Sequence, residues 1–218
     1  MLTKNENISI EQSLATAAAR LAGKQLLRPG DGLSQRIPEQ DSFLSVRIAA
    51  TGPATPEFEW KRLSDKPKGL HHRIYILRPD VGAIAEGALT WTRELAAINQ
   101  SMPAVFDEQV RHLGREAKRV PMRSTDERPI AALSNGANAY CLDDVALCLG
   151  MGLERLLLNV EILEKCAECF VLAYCATANV KRIPWFVKFM ANGRLKKDQK
   201  DAAARHLRGE RSIMKAGY

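Results

Sequence analysis

The chain has 218 residues, of which 46% are hydrophobic, and it carries a formal net charge of +7. This length and apolar content can form one substantial hydrophobic core, so we expect a single main domain. No window approaches the roughly 18 consecutive apolar residues of a membrane-spanning helix, which excludes a protein built on transmembrane helices.

The positive charge is concentrated at the C-terminal end. Residues 187–218 contain nine Lys or Arg and three Asp or Glu, so nine minus three gives this segment +6. We therefore predict a main domain over residues 1–186 and a basic, helical extension over residues 187–218. The first residues lack an apolar signal core, and the five cysteines, an odd number, fit reduced thiols. Both features predict a cytoplasmic protein.

The N-terminal part predicts a helix followed by a β-hairpin. Residues 9–27 form an amphipathic pattern in which Ser9 and Gln12 fit a capping box. The apolar stripe of this helix is Leu14, Ala17, Ala18 and Leu21. The next segments predict a turn, the two strands of a hairpin, and a loop rich in Gly, Pro and Thr: residues 29–32, 33–37, 43–48 and 49–60.

The centre of the chain predicts a helix, a tight turn and a short buried strand. A helix that begins near Ser64 or Lys68 should end at Leu77, because Pro79 biases the preceding residue away from helical backbone. The short apolar run 81–85 then suits a strand better than another helix. This strand leads directly to Glu86, at a predicted chain reversal.

The C-terminal half predicts one shorter helix, two strands and a long helix. The predicted segments are a helix over 89–99, a loop over 126–135, strands over 137–141 and 145–149, a glycine turn at 150–152 and a helix from Leu153. The segment that starts at Pro103 has no clear pattern. Short strands among helices of mixed length, with two hairpin-like pairs, favour an α+β or α/β fold with a largely antiparallel sheet.

Several of these segments, in the same order, resemble the class II aldolase/adducin family over about residues 10–185. The matching pieces are Gly32-Leu33-Ser34-Gln35-Arg36, Phe43-Leu44-Ser45-Val46, the run from His71 through Arg78-Pro79-Asp80 to Ile84, and the stretch from Asp144 through Gly150 to Glu168. The resemblance implies an α/β fold, a three-layer αβα sandwich around a mostly antiparallel sheet. It also implies a homo-oligomer, a cyclic tetramer with clefts at subunit boundaries.

The family's chemistry depends on a zinc ion held by three histidines. The positions that match them in this sequence are Glu86, Ala88 and Asp144, and none is histidine. The family's proton-transfer carboxylate and its two phosphate-binding pairs fall near other residue types: Pro67, Asp65-Lys66 and Ile48-Ala49. This joint difference implies that the zinc-dependent lyase reaction is absent, and we expect no cofactor.

Glu86 and Asp144 are the candidate catalytic residues. Two carboxylates can act as acid and base, or can bind a hard cation with water molecules, so zinc or another divalent cation is the alternative to a metal-free site. They can equally be solvated turn residues or can pair with an arginine of the cleft.

Four basic side chains are candidates for substrate binding. Arg36, Arg47 and Lys66 would form an anion clamp in the cleft through charge-assisted hydrogen bonds, or would be ordinary surface charges. His71 matches a position that is often histidine in the family without being a ligand. A small anionic ligand is therefore a possible partner.

Two functions remain open. The first is a non-lyase, oligomeric binding or regulatory protein, like the adducin head domain. The second is a divergent lyase, decarboxylase or epimerase acting on a small acidic or phosphorylated sugar-like substrate in the same cleft, so enzymatic activity stays undecided. The basic segment 193–211 lacks interleaved aromatic residues, which argues against single-strand nucleic-acid binding. A solvated helical extension is favoured over a nucleic-acid or membrane partner. Trp185 is predicted to be a core or interface anchor.

Overall fold

A computed structural model describes residues 3–48, 56–121, 128–143, 145–176 and 180–213. The helices within these ranges are α1 (Lys4–Gly23), α2 (Gly69–Leu77), α3 (Thr90–Ala97), α4 (Asp107–His112), α5 (Arg128–Ala132), α6 (Leu153–Cys175) and α7 (Trp185–Leu207). The strands are β1 (Gly32–Ile37), β2 (Ser42–Arg47), β3 (Phe58–Arg62), β4 (Ala83–Gly87), β5 (Met102–Pro103), β6 (Glu116–Arg119), β7 (Ala139–Leu142) and β8 (Val145–Gly150). Within the described ranges, no helix is both long enough and apolar enough to cross a membrane.

The strands form one mixed sheet in the order β3-β2-β1-β4-β8-β7-β6-β5. Neighbouring strands are antiparallel except β6 and β7, which run parallel. The predicted hairpin of β1 and β2 is confirmed, with Leu33 opposite Val46. The mostly antiparallel sheet predicted from the resemblance is therefore confirmed.

Helices cover both faces of this sheet. Along β4, Ala83 and Ala85 belong to one apolar cluster and Ile84 to the other, as the two-residue period of a strand requires. The first cluster includes apolar residues of α1, α3 and α6, and the second includes residues of α2 and of the turn after α5. The result is the three-layer αβα sandwich that the sequence predicts.

The Arg-Pro-Asp turn between α2 and β4 has a structural role. The buried guanidinium of Arg78 donates hydrogen bonds to both carboxylate oxygens of Asp80, at 2.8 and 2.7 Å. It also donates to the backbone carbonyl oxygens of Leu133 and Ala137, at 3.0 and 2.9 Å. A buried arginine is stable only with such partners, so this network fixes the turn that positions β4.

Two parts of the N-terminal prediction are wrong. α1 begins at Lys4 because Thr3 and Glu6 form the capping box, whereas Ser9 lies inside the helix. β3 occupies part of the predicted loop 49–60, and residues 49–55 lie outside the described ranges. β3 lies at the edge of the sheet, where it pairs with β2.

The basic helix α7 is packed on the rest of the fold along one side. Leu195 and Ala202 join Met151 in a small apolar cluster. The Gln199 amide donates to the carbonyl oxygen of Gly136 at 2.8 Å, and His206 Nδ1 lies 2.7 Å from the carbonyl oxygen of Pro79. The helix begins at Trp185 and so crosses the predicted boundary between residues 186 and 187.

Candidate functional site

Glu86 lies near the C-terminal end of β4, close to the middle of the sheet. Its neighbours in register are Gly32 on β1 and Leu147 on β8. A cleft of about 520 Å³ opens beside it, between β1, β2, β3 and the start of α2. The titratable side chains that line this cleft are Arg47, Glu57, Glu59, Lys61, Lys68, His71 and Glu86.

The structure places His71 of α2 directly against Glu86. Nε2 of the imidazole lies 3.3 Å from Oε2 of the carboxylate, and the two side chains are 13% and 36% exposed. Nε2 is buried and meets no hydrogen-bond geometry with a described residue. The imidazole is the main cause that lowers the pKa of Glu86; partial burial opposes it, and the charge of Arg47 adds to it. Glu86 is therefore ionised at neutral pH.

A buried hydrogen-bond chain orients the imidazole of His71. Ser34 Oγ lies 2.8 Å from His71 Nδ1 and 2.9 Å from the hydroxyl oxygen of Tyr75. Burial raises the pKa of Tyr75, so its hydroxyl keeps its proton. The single hydroxyl of Ser34 links Tyr75 to His71, and the two hydrogen bonds together hold the imidazole ring in place beside Glu86.

The other predicted binding residues are not all brought to this cleft. Arg47 lines it and donates to the carbonyl oxygen of Gly30 at 3.0 Å. Lys66 is exposed and is not among the described residues that line the cleft, whereas Lys68 is. Asp144 lies outside the described residues, so the predicted pairing of Glu86 with Asp144 stays a prediction.

Arg36 lies away from the cleft. Its buried guanidinium donates to the backbone carbonyl oxygens of Val81 at 2.8 Å, of Tyr75, and of Arg78 at 3.3 Å. These three carbonyls belong to the end of α2 and the turn before β4. The side chain therefore holds this junction together, and its donors do not face the space beside Glu86.

The described residues do not fit a zinc site made of three imidazoles. At the second matching position, Ala88 has only a methyl group, and its backbone N–H donates to the carboxylate of Asp31 at 3.2 and 3.3 Å. At the first position, the carboxylate of Glu86 is held against His71. Among the residues that the structure describes, no three His, Cys, Asp or Glu side chains converge as metal ligands would.

Sequence reasoning missed several residues of the cleft. Lys61 is carried by β3, where it forms an ion pair of 2.7 Å with Glu59, and β3 itself was not predicted. Lys68 immediately precedes α2. The signal for β3 was the alternation of Phe58 and Trp60 with charged residues, which is typical of an edge strand.

Similarity to solved structures supports the fold. No protein-family model and no curated protein sequence matches the chain. An L-fuculose 1-phosphate aldolase structure superposes with a TM-score of 0.72 at 17% identity, covering 90% of this chain and 98% of that one. An L-fuculose 1-phosphate aldolase from Glaciozyma antarctica PI12 gives 0.66 at 16% identity, covering 94% and 91%. An aldolase II superfamily protein from Pseudomonas syringae gives 0.66 at 16% identity, covering 94% and 95%.

These similarities confirm the class of fold that the sequence resemblance implies. The chain has a class II aldolase-like fold over most of its length. At such low identity the similarity extends to the fold alone, so the function must be argued from the residues of the cleft.

Proposed function

We propose that this chain is a class II aldolase-like protein without zinc-dependent lyase activity, which forms a homo-oligomer and binds a small anionic ligand beside Glu86. The observation that carries the proposal is the pairing of His71 with Glu86 at 3.3 Å. An imidazole–carboxylate pair stands where the resemblance implies the first zinc histidine, and Ala88 stands at the second. In this proposal, the first two histidines that would bind zinc are replaced by Glu86, which is paired with His71, and by Ala88, which has no ligating group.

Among the residues that the structure describes, the cleft holds three cationic and three anionic side chains, and the two cations outside the Lys61–Glu59 pair could contact an anionic group of a ligand. Arg47 and Lys68 supply positive charge at its rim, while Lys61 is already paired with Glu59. A hydroxyl group of a sugar or hydroxy acid would contact the half-buried carboxylate of Glu86, and the carboxylate or phosphate of the same ligand would contact Arg47 and Lys68.

A divergent enzyme is the second candidate, and one observation favours it. The hydrogen bonds from Ser34 to His71 and to Tyr75 hold the imidazole in place beside Glu86. The ionised carboxylate of Glu86 can take a proton from a carbon acid and return it, with His71 as the residue that positions the carboxylate. Such a site would catalyse proton transfer, as in an epimerisation, without requiring a bound zinc ion.

Calorimetric titration of the purified full-length protein with sugar phosphates and hydroxy acids tests the proposal. We expect at least one ligand to bind, and the Lys68→Gln variant to bind it more weakly by about tenfold, as for the loss of one charge-assisted contact. Lys66→Gln is the matched control, since this lysine does not line the cleft, and it should leave the affinity unchanged.

Two outcomes would contradict this account. One is zinc-dependent carbon–carbon cleavage of a sugar phosphate by the pure protein. The other is equal weakening of binding by Lys66→Gln and Lys68→Gln. The second candidate is supported instead if the bound ligand exchanges a carbon-bound proton with deuterated water and if Glu86→Gln abolishes that exchange.

A further inference from the structure

The first two turns of α7 expose four large apolar side chains. Trp185, Phe186, Phe189 and Met190 are 77%, 52%, 64% and 60% exposed. Residues four apart lie on the same side of a helix, so Trp185 with Phe189, and Phe186 with Met190, form one continuous surface. A contiguous apolar surface of this kind marks a contact site rather than ordinary scattered exposure.

The orientation of this surface is fixed because the opposite side of α7 is buried. The buried side consists of Asn192, Leu195, Gln199, Ala202 and His206. The hydrogen bonds of Gln199 and His206 to backbone carbonyl oxygens anchor it to the rest of the fold. The helix cannot turn its aromatic side inward without breaking these contacts.

Exposed lysines continue the same side of the helix. Lys196 and Lys197 follow Phe189 and Met190 by seven residues, which is two helical turns, and both are exposed. Residues 180–197 contain six Lys or Arg and no Asp or Glu. The apolar surface is therefore accompanied by unbalanced positive charge.

We propose that this side of α7, formed by Trp185, Phe186, Phe189, Met190, Lys196 and Lys197 and here called the α7 outer face, docks on an anionic lipid bilayer. Aromatic and Met side chains enter the boundary between headgroups and acyl chains, while lysines pair with lipid phosphates and carboxylates. In one orientation of the helix, the apolar side chains reach the acyl chains and the lysines reach the headgroups. Among the described residues that line the cleft beside Glu86, none belongs to this face.

Other occupants are less complementary to this face. A two-fold contact that pairs the face with its own copy would bring Lys196 and Lys197 close to their equivalents and would be opposed by like-charge repulsion, whereas a head-to-tail contact between copies is an outcome that the test below distinguishes. A nucleic acid would match the lysines and would leave Met190 unexplained. The apolar half of this face lies before residue 193, outside the basic segment 193–211 from which the sequence disfavoured a membrane partner.

Vesicle co-sedimentation of the full-length protein tests the proposal. We expect binding to phosphatidylcholine vesicles that contain phosphatidylserine to be about tenfold or more tighter than to phosphatidylcholine alone, and to weaken as salt is added. The double variant Trp185→Ser/Phe189→Ser should lose about tenfold or more of this binding, and Lys196→Gln/Lys197→Gln should lose the preference for phosphatidylserine. Ile76→Ser, which removes an exposed apolar side chain from α2, is the matched control and should bind as the wild type does.

Circular dichroism and thermal unfolding of each variant verify that the fold is intact. The proposal is overturned if the wild type does not sediment with either vesicle. It is also overturned if the Trp185→Ser/Phe189→Ser variant keeps full vesicle binding. A lower subunit number in this variant, without vesicle binding by the wild type, would assign the face to contacts between copies. Salt-sensitive binding to an oligonucleotide alone would assign it to nucleic acid.

Discussion

At the scale of single residues, the proposal of a site without zinc depends on the position of His71 beside Glu86. Glu86 alone is no argument against a bound metal ion, since carboxylates are common metal ligands. Its negative charge is instead held by His71, which comes from α2 and not from the strand end. Because Tyr75 and Ser34 fix the orientation of that imidazole, the pair is a positioned feature of the fold.

We expect His71→Gln to raise the pKa of Glu86 toward its ordinary value, because the imidazole is the main cause that lowers it. A carboxyl whose pKa is lowered by folding contributes stability above its unfolded pKa, and that contribution is lost as pH falls through the folded pKa. The wild type should therefore lose more stability than the variant across this acidic window. Carbon-13 NMR titration of the Glu side chains measures the shift directly. An unchanged Glu86 titration in His71→Gln would contradict the pairing.

Arg36 tests the distinction between a structural and a binding arginine. We expect Arg36→Lys to lower the free energy of unfolding by about 2–3 kcal/mol, because a lysine cannot reach three buried carbonyl oxygens with one ammonium group. The substitution Arg47→Lys, at an exposed position, should change the free energy of unfolding by no more than about 0.5 kcal/mol. Urea unfolding measures both, and equal stability of the two variants would contradict the structural role of Arg36.

At the scale of elements, the sequence was informative where an apolar run or stripe was bounded by clear turn residues. The hairpin of β1 and β2, the α2–turn–β4 unit, the strand pair β7–β8 and the helix α6 were all predictable. The segment from Pro103 was not, since β5, α4 and β6 have two, six and four residues and are stabilised by their neighbours. α7 was predictable as a helix, but its buried side includes Asn192, Gln199 and His206, so no apolar stripe revealed which side packs.

The candidate site was predictable only in part. Glu86 followed from the resemblance and from its place after a short apolar run. The partner of Glu86 did not follow, because the proximity of His71 depends on how α2 lies across β1 and β4, which is a tertiary contact without a local pattern. The presence of Lys68 in the cleft likewise depends on how α2 lies on the sheet. Lys61 was missed because β3, which carries it, was not predicted.

The junction between β4 and β8 requires a glycine at position 82. A Cβ atom there would lie 2.2 Å from the carbonyl oxygen of Met151, a backbone atom that cannot move aside alone. We expect Gly82→Ala to lower the free energy of unfolding by about 3 kcal/mol or more, as severe overpacking does. Gly193→Ala in α7 meets nothing within 4 Å and should leave stability unchanged or raise it by up to about 1 kcal/mol. Urea unfolding measures both variants. If Gly82→Ala is as stable as the wild type, the close packing at this position is contradicted.

At the scale of the whole molecule, the proposed homo-oligomer is directly measurable. The chain mass is 24.2 kDa, so light scattering coupled to size exclusion should give a multiple of this value that persists on dilution. A tetramer would agree with the implication of the family resemblance. A monomer at every concentration would contradict the proposed assembly and would leave the cleft beside Glu86 to be formed by one chain alone.

The central claim is that the class II aldolase-like fold of this chain has a His71–Glu86 pair in place of a zinc centre. Elemental analysis tests it most directly, on full-length protein that has been incubated with zinc and then desalted. We predict a zinc content far below one ion per chain, unchanged in the Glu86→Ala variant. A stoichiometric, tightly held zinc ion in the wild type that is lost in Glu86→Ala would contradict the account.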